Sequence, residues 1–343
     1  MNERYLFSLI IFIAITFMVY NHQQTEIISV PKKEIVSFEP EFAREEVKQG
    51  PAILTIFTSF KNDPTKFQLY SNTLRNWAEF IPRVRLILYT YEGDAALTEL
   101  AESLGWLVVI SPRLTRFKIP YLKDMFYEAQ RQVNDSVFYG YANGDILFDE
   151  GLLDTLSSME QYLDYLGDAL LVGRRYNIRF KNQELYKPAD VRAVVQNEGE
   201  LFRIHAIDYF LIAHNSFVWD QLVDVIIARP AYDNYLVMTA ITNDVPVIDA
   251  TKTILAAHQT GMDGDFAGFI DQSTVHFNRE KIGKFPAGQG FTNSTQYFTK
   301  LSKFNVSHIE LWKREPEDII YPKSPTKRVR LGKRATFIPD VWG

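Results

Sequence analysis

Asn143-Gly144-Asp145 interrupts an apolar stretch, and it is the first place in the chain whose residue types suggest chemistry. Val137-Phe138-Tyr139-Gly140-Tyr141-Ala142 precedes it, and this aromatic run reads as a buried strand. Ile146-Leu147-Phe148 after it is apolar again. Glycine lets the backbone turn or approach a ligand closely. A carboxylate just past the C-terminal end of a strand in an open α/β sheet lies where such sheets bind ligands. Mg²⁺ and Mn²⁺ take oxygen ligands and need only one or two protein carboxylates when waters and phosphates complete the shell. Asp145 fits that role, and Asn143 could add an amide oxygen or touch a ribose. The triplet is also ordinary turn chemistry; its position after a buried strand tips the balance.

Three further constellations follow. Gly173-Arg174-Arg175 ends an apolar run, so Arg174 and Arg175 could reach phosphates or a carboxylate, or form a solvated basic pair. In Arg229-Pro230-Ala231-Tyr232-Asp233-Asn234-Tyr235, Asp233 could take a proton from an acceptor hydroxyl as general base, or simply cap a helix. Both roles are compatible, because helix N-termini face the ligand edge of α/β folds. His258 follows an apolar run and could be an imidazole metal ligand, although a lone His there is more often merely hydrogen-bonded. At the end of the first apolar run, Thr58 and Phe60 stand where a nucleotide base and ribose could lie. Arg113 and Arg116 follow the third such run and could face a diphosphate.

The elements that must position these residues alternate. Strands are expected over Ala52–Ser59, Val84–Tyr91, Trp106–Ser111 and the central run, with helices over Phe67–Phe80, Ala95–Leu104 and Tyr121–Gln132. Such alternation implies an α/β fold with a mostly parallel sheet flanked by helices. Later in the chain, Leu152–Leu163, Phe217–Ala228 and Tyr232–Thr242 read as helices. Ala169–Gly173, Asp208–His214, Pro246–Asp249 and Thr253–Ala257 read as strands. Lys181–Gly199 reads as a polar loop, and the chain beyond Gly261 as loop-rich.

The chain of 343 residues suffices for one large domain and an appendage. A net charge of -5 argues against a nucleic-acid binder. The absence of cysteine excludes disulfides, thiolate metal sites and a Cys nucleophile. Neither a Gly-x-Ser-x-Gly elbow nor a phosphate-loop motif occurs. Tyr5–Tyr20 is apolar and uncharged, with Arg4 before it and no Lys or Arg after it until Lys32. This pattern predicts a membrane anchor with a cytoplasmic N-terminus, with a cleaved signal peptide as the rival reading. The expected organisation is a cytoplasmic N-terminus (1–4), an anchor (5–20), a polar stem (21–50), a globular domain (51–315) and a tail (316–343).

Order and spacing together resemble a known superfamily, the GT-A-fold nucleotide-diphospho-sugar transferases. The resemblance rests on Asn143-Gly144-Asp145-Ile146-Leu147, Gly173-Arg174-Arg175, Asp208-Tyr209-Phe210, Ala228-Arg229-Pro230-Ala231-Tyr232-Asp233-Asn234-Tyr235-Leu236, Pro246-Val247-Ile248-Asp249-Ala250-Thr251 and Ala257-His258-Gln259, and covers about Ala52 to Gly261. It implies a Rossmann-like GT-A fold and a glycosyltransferase that moves a sugar from a nucleotide-diphosphate donor to a glycan or other acceptor, such as a glycoprotein. Asp145 and His258 would hold Mn²⁺ or Mg²⁺, and Asp233 would serve the acceptor. Asn143, Arg174, Arg175 and Asp208 would contact the donor. An anchor and stem before such a domain resemble Golgi type II transferases, implying a single-pass protein of the Golgi or ER membrane. Asn143 stands where the superfamily usually has the first aspartate of an Asp-x-Asp motif. That departure motivates the alternative, a non-catalytic glycan- or nucleotide-binding protein that retains the fold.

Overall fold

The computed structural model describes residues 51–91, 95–213, 219–261, 273–302, 308–319 and 335–337. In its first half, strands β1 (Leu54–Thr58), β2 (Val84–Thr90) and β3 (Leu107–Ile110) alternate with helices α1 (Phe67–Ala78) and α2 (Ala95–Ser103). Helix α3 (Leu122–Gln132) leads into β4 (Phe138–Ala142), and β5 (Ile146–Phe148) follows after three residues. Next come α4 (Gly151–Glu160), α5 (Leu163–Leu166), β6 (Leu170–Arg179), α6 (Pro188–Glu198), β7 (Glu200–Leu201) and β8 (Ile207–Ala213). The chain continues with α7 (Tyr232–Thr242), β9 (Val247–Asp249), β10 (Ala256–Thr260) and α8 (Phe277–Ile282). Strands β11 (Tyr297–Leu301), β12 (Ile309–Arg314) and β13 (Ala335–Phe337) complete the described elements.

The main sheet runs β13-β12-β11-β9-β6-β8-β4-β1-β2-β3. Strands β3, β2, β1 and β4 pair in parallel, as expected from helical crossovers. Strand β8 then runs antiparallel between β4 and β6, so the sheet is mixed at its centre. Side-chain alternation assigns the two faces. Leu54 and Ile56 of β1, Leu86 and Leu88 of β2 and Phe138 of β4 pack against α1 and α2 through Leu74, Trp77 and Leu97. Phe57, Ile87, Tyr89, Tyr139 and Tyr141 pack on the opposite face with Met125 and Phe126 of α3 and Leu236 and Val237 of α7.

Several expectations differ from the structure. The strand read over Ala169–Gly173 continues to Arg179 and carries Arg174 and Arg175 within it. The polar stretch Lys181–Gly199 contains helix α6, started by Pro188 in its first turn and anchored by buried Val191 and Val195 one helical turn apart. Of the helix read over Phe217–Ala228, the described part forms only a short 3₁₀ turn at Trp219–Gln221. Asn278 takes up the Ile226 backbone instead, accepting from its N–H at 2.8 Å and donating to its carbonyl at 2.9 Å. His258 lies within β10 and does not follow a strand. The chain beyond Gly261 also contributes α8 and strands β11 to β13.

The Golgi or ER membrane placement, with its type II anchor, is corrected. Among the described residues no helix is long and apolar enough to cross a membrane. The expected anchor and stem, residues 1–50, lie outside the described residues.

Trp77 joins the core to the break between β4 and β5. Its ring stacks on Trp106 with centroids 5.5 Å apart, and its indole N–H donates to the Ile146 carbonyl at 2.9 Å. Replacing a large buried aromatic by alanine costs about 3–5 kcal/mol. Trp77→Ala is therefore expected to lower the free energy of unfolding by about that amount. Urea denaturation checks this, with a shifted midpoint and an unchanged slope as the signature.

Candidate functional site

The site lies where β4, β8 and β6 run side by side. Ala142 of β4 pairs with Tyr209 of β8, and Arg174 of β6 pairs with Ile207, which brings Asn143, Asp208 and Arg175 together. Asn143 Nδ2 donates to Asp208 Oδ1 at 2.6 Å, and Arg175 Nη1 donates to Asp208 Oδ2 at 2.8 Å. Asn143 Oδ1 accepts from the hydroxyls of Tyr141 at 2.8 Å and Tyr232 at 3.1 Å. Burial, then nearby carboxylates, holds both phenols well above their ordinary range, so they keep their donor protons. The amide oxygen of Asn143 is therefore taken by two tyrosines. A carboxylate in its place would face Asp208 directly, whereas the amide supplies a donor.

Asp145 turns the other way. Its Oδ2 lies 3.3 Å from Nε2 of His258, whose strand β10 pairs antiparallel with β5. His258 Nδ1 lies 3.0 Å from the Thr260 hydroxyl. If Nδ1 donates to Thr260, Nε2 and the carboxylate oxygen both present lone pairs, and a proton or a metal cation must lie between them. Burial opposes ionisation of Asp145. The charge and hydrogen bond of His258, with Arg175 and Lys66, outweigh it and hold the carboxyl below its ordinary value. Asp145 Oδ1 is buried without a hydrogen-bond partner. An orphaned carboxylate oxygen beside an imidazole nitrogen is a fitting donor set for a divalent cation. Among the described residues no group of three or more His, Cys, Asp or Glu could hold a metal ion, so any such ion would draw its remaining ligands from phosphates and water.

Asp233 stands in the first turn of α7, one position after Tyr232. Ala231 opens this helix in the left-handed region at φ 81°, and Ala228 lies there too at φ 53°. Both are unusual for a residue with a side chain. The helix start is pinned from outside: Asn234 Nδ2 donates to the His205 carbonyl at 3.0 Å. Gly290 approaches so closely that a Cβ there would lie 1.8 Å from the Asn234 carbonyl oxygen. Burial raises the Asp233 carboxyl to about 7, with the Asp208 charge adding to it against backbone N–H bonds from Asn234, Ile207 and Asp233 itself.

Other expected residues stand differently. Thr58 is buried, and its hydroxyl has no partner. Phe60 stacks on Tyr70 at 4.4 Å and presses on Gly144, where a Cβ would meet its ring at 2.5 Å. Phe60 also lines a shallow pocket with Lys61, Leu88, Thr90 and Thr98 at the ends of β1 and β2. Arg174 and Arg175 both lie against Phe202: Arg174 Nε donates to its carbonyl at 2.7 Å, and the Arg175 guanidinium stands 4.7 Å from its ring centroid. Arg113 pairs with Asp224 and Asp124 and lies over the Tyr121 ring, and the Arg116 guanidinium covers Phe117. Neither is drawn into the Asp145 cluster. Lys66, whose charge acts on Asp145, carried no signal in the sequence beyond its place after Pro64-Thr65.

No protein-family model matches the sequence, and neither does any curated protein. Solved structures do. Glucosyl-3-phosphoglycerate synthase from Mycobacterium tuberculosis, in complex with Mn²⁺, uridine diphosphate and glucosyl-3-phosphoglycerate, is 13% identical, with a TM-score of 0.40 over 70% of this chain and 83% of that one. The same enzyme with Mn²⁺, UDP-glucose and phosphoglyceric acid matches at 13% identity and a TM-score of 0.39, over 78% of this chain and 89% of that one. TarS from S. aureus in complex with UDP-GlcNAc matches at 14% identity and a TM-score of 0.26, over 36% of this chain and 35% of that one.

Proposed function

We propose that this chain is a glycosyltransferase that uses a nucleotide-diphospho-sugar donor and a divalent cation. The observation that carries the reading is the Asp145–His258 pair just past β4, with its second carboxylate oxygen buried and unpartnered. Asp145 and His258 would hold Mn²⁺ or Mg²⁺. When bound, such an ion neutralises charge on the leaving diphosphate. Lys66 and Arg175, whose charges already act on Asp145, add positive potential to the same place. The shallow pocket beside Phe60 and Lys61 is the place proposed for the nucleoside. Arg113, Arg116 and Arg174 are given no donor contact in this reading.

Asp233 is the proposed general base. An acceptor hydroxyl oxygen bonds to the anomeric carbon of the donor sugar, the bond from that carbon to the diphosphate oxygen breaks, and the nucleoside diphosphate leaves. Asp233 takes the hydroxyl proton. A carboxyl held near 7 is well matched to this task. The acceptor is a hydroxyl compound; a glycan or glycoprotein remains the class proposed.

Asp145→Asn and His258→Ala are each expected to abolish transfer and donor hydrolysis across a panel of nucleotide sugars, and to remove the rise in thermal midpoint that Mn²⁺ with the donor gives the wild type. Midpoints unchanged in the absence of ligand would show that the fold survives. Full turnover in either variant would overturn the reading.

Asp233 makes a second prediction. Its carboxyl titrates near 7 in the folded chain and near 3.8 as an unperturbed group. The stabilisation from the folded state's tighter proton binding is complete below about pH 4 and is lost as pH rises through about 7. Asp233→Asn removes this pH dependence, raises the thermal midpoint above pH 7 and abolishes turnover. A variant with a lower midpoint at pH 8 and wild-type turnover would contradict it.

A further inference from the structure

Among the described residues, strand β5 has one strand neighbour, β10. The peptide groups that face β10 are satisfied in the ordinary way: the Asp145 carbonyl accepts from Gln259 N–H at 3.0 Å, and the Asp149 N–H donates to the Leu255 carbonyl at 3.4 Å. The alternate peptide groups of an extended strand point to its other edge. A buried, unpaired backbone group is costly, so these need partners. They find them in the side chains of helix α1. The Thr73 hydroxyl donates to the Gly144 carbonyl at 2.8 Å. The Trp77 indole donates to the Ile146 carbonyl at 2.9 Å. Asn76 meets both groups of Phe148, accepting from its N–H at 2.7 Å and donating to its carbonyl at 3.0 Å. One helix face therefore supplies, residue by residue, what a neighbouring strand would.

The arrangement reaches both proposed metal ligands. Gln259 is buried, adjoins His258 and donates through Nε2 to Thr73 Oγ1 at 3.2 Å and to the Leu69 carbonyl at 3.2 Å. Its Oε1 accepts from Asn72 Nδ2 at 2.9 Å. The Thr73 hydroxyl thus accepts from the residue after His258 and donates to the residue before Asp145. We propose that α1 acts as a surrogate edge strand for β5, and that Thr73 is a positioning residue setting the spacing of Asp145 and His258. This inference rests on the metal reading above. The amphipathic pattern of α1 gives no hint of it, because Asn72, Thr73 and Asn76 are polar residues on a buried face.

The test replaces the hydroxyl without changing its volume. Thr73→Val leaves the Gly144 carbonyl without its partner and is expected to weaken Mn²⁺ binding to the full-length chain by roughly 10–100-fold, read by electron paramagnetic resonance titration. In the metal-free protein, hydrogen exchange is expected to quicken in residues 143–148 and 258–260 and to stay unchanged in β1 to β3. Thr73→Ser, which keeps the hydroxyl, restores both. Thr73→Ala carries the same test without the valine methyl groups if the valine variant fails to fold. Wild-type Mn²⁺ affinity in the valine or alanine variant overturns the proposal, as does an equal loss in the serine variant. Failure of the wild type to bind Mn²⁺ both alone and with uridine diphosphate present overturns the metal reading, while the exchange comparison still decides whether Thr73 holds Gly144.

Discussion

Taking the carboxyl groups of Asp145, Asp208 and Asp233 out of water is the constraint to which the rest of this site answers. The three carboxylates come from β4's end, β8 and α7, and burial, with a smaller part from the charge of Asp208, raises the Asp233 carboxyl. Each is relieved by different means. Asp145 has His258, Arg175 and Lys66. Asp208 sits between Arg175 and the Asn143 amide. Asp233 has backbone N–H groups and no cation among its main influences, so its carboxyl is driven upward by burial. One environment thus keeps a carboxylate ionised beside an imidazole, and another brings a carboxyl to the protonation range of a base. Divergent environments for neighbouring carboxyls are how a single site divides such roles.

Backbone geometry carries the same division. Gly144 has no Cβ, and this admits the Phe60 ring beside the turn that presents Asp145. Gly290 allows a loop to close on the first turn of α7. Ala228 and Ala231 hold left-handed conformations on either side of Arg229-Pro230. Small side chains lessen the steric cost of that conformation, and the surrounding contacts over-determine it. The aim of Asp233 therefore depends on a loop whose conformation the chain would not adopt alone.

The order of elements through β4 was legible because each is a simple periodic signal: apolar runs for β1, β2 and β4, and helical spacing for α1 and α3. Helix α7 was legible over its whole span, Tyr232–Thr242. Asp145 and His258 were singled out separately, and β10 pairing with β5 brings them together. The misreadings have physical causes too. Two arginines in a row look like one basic pair until the strand continues through them and gives Asp208 to Arg175 and the Phe202 carbonyl to Arg174. Lys181–Gly199 looks like a loop because only Val191 and Val195 of α6 are buried. The stretch Phe217–Ala228 has helical composition, yet its backbone is drawn off by Asn278, more than fifty positions later in the chain. Lys66 acts on Asp145 through space alone, which local pattern does not encode.

The departure of Asn143 from an acidic residue looks at first like a loss of metal-binding capacity, but its surroundings give it another meaning. Its oxygen accepts two tyrosine hydroxyls and its nitrogen serves Asp208, so both ends of the amide are engaged. An aspartate there would add a fourth carboxylate to a site that already holds three. It would also leave Asp208 with one donor fewer, since a carboxylate accepts and cannot donate when ionised. Asn143 therefore belongs to the network that fixes Tyr232 and the start of α7, and the proposed cation-facing part falls to Asp145, whose second oxygen is the one left over. The same departure that weakens the motif as a pattern strengthens the link between the proposed donor side of the site, at Asp145, and the proposed acceptor side, at Asp233.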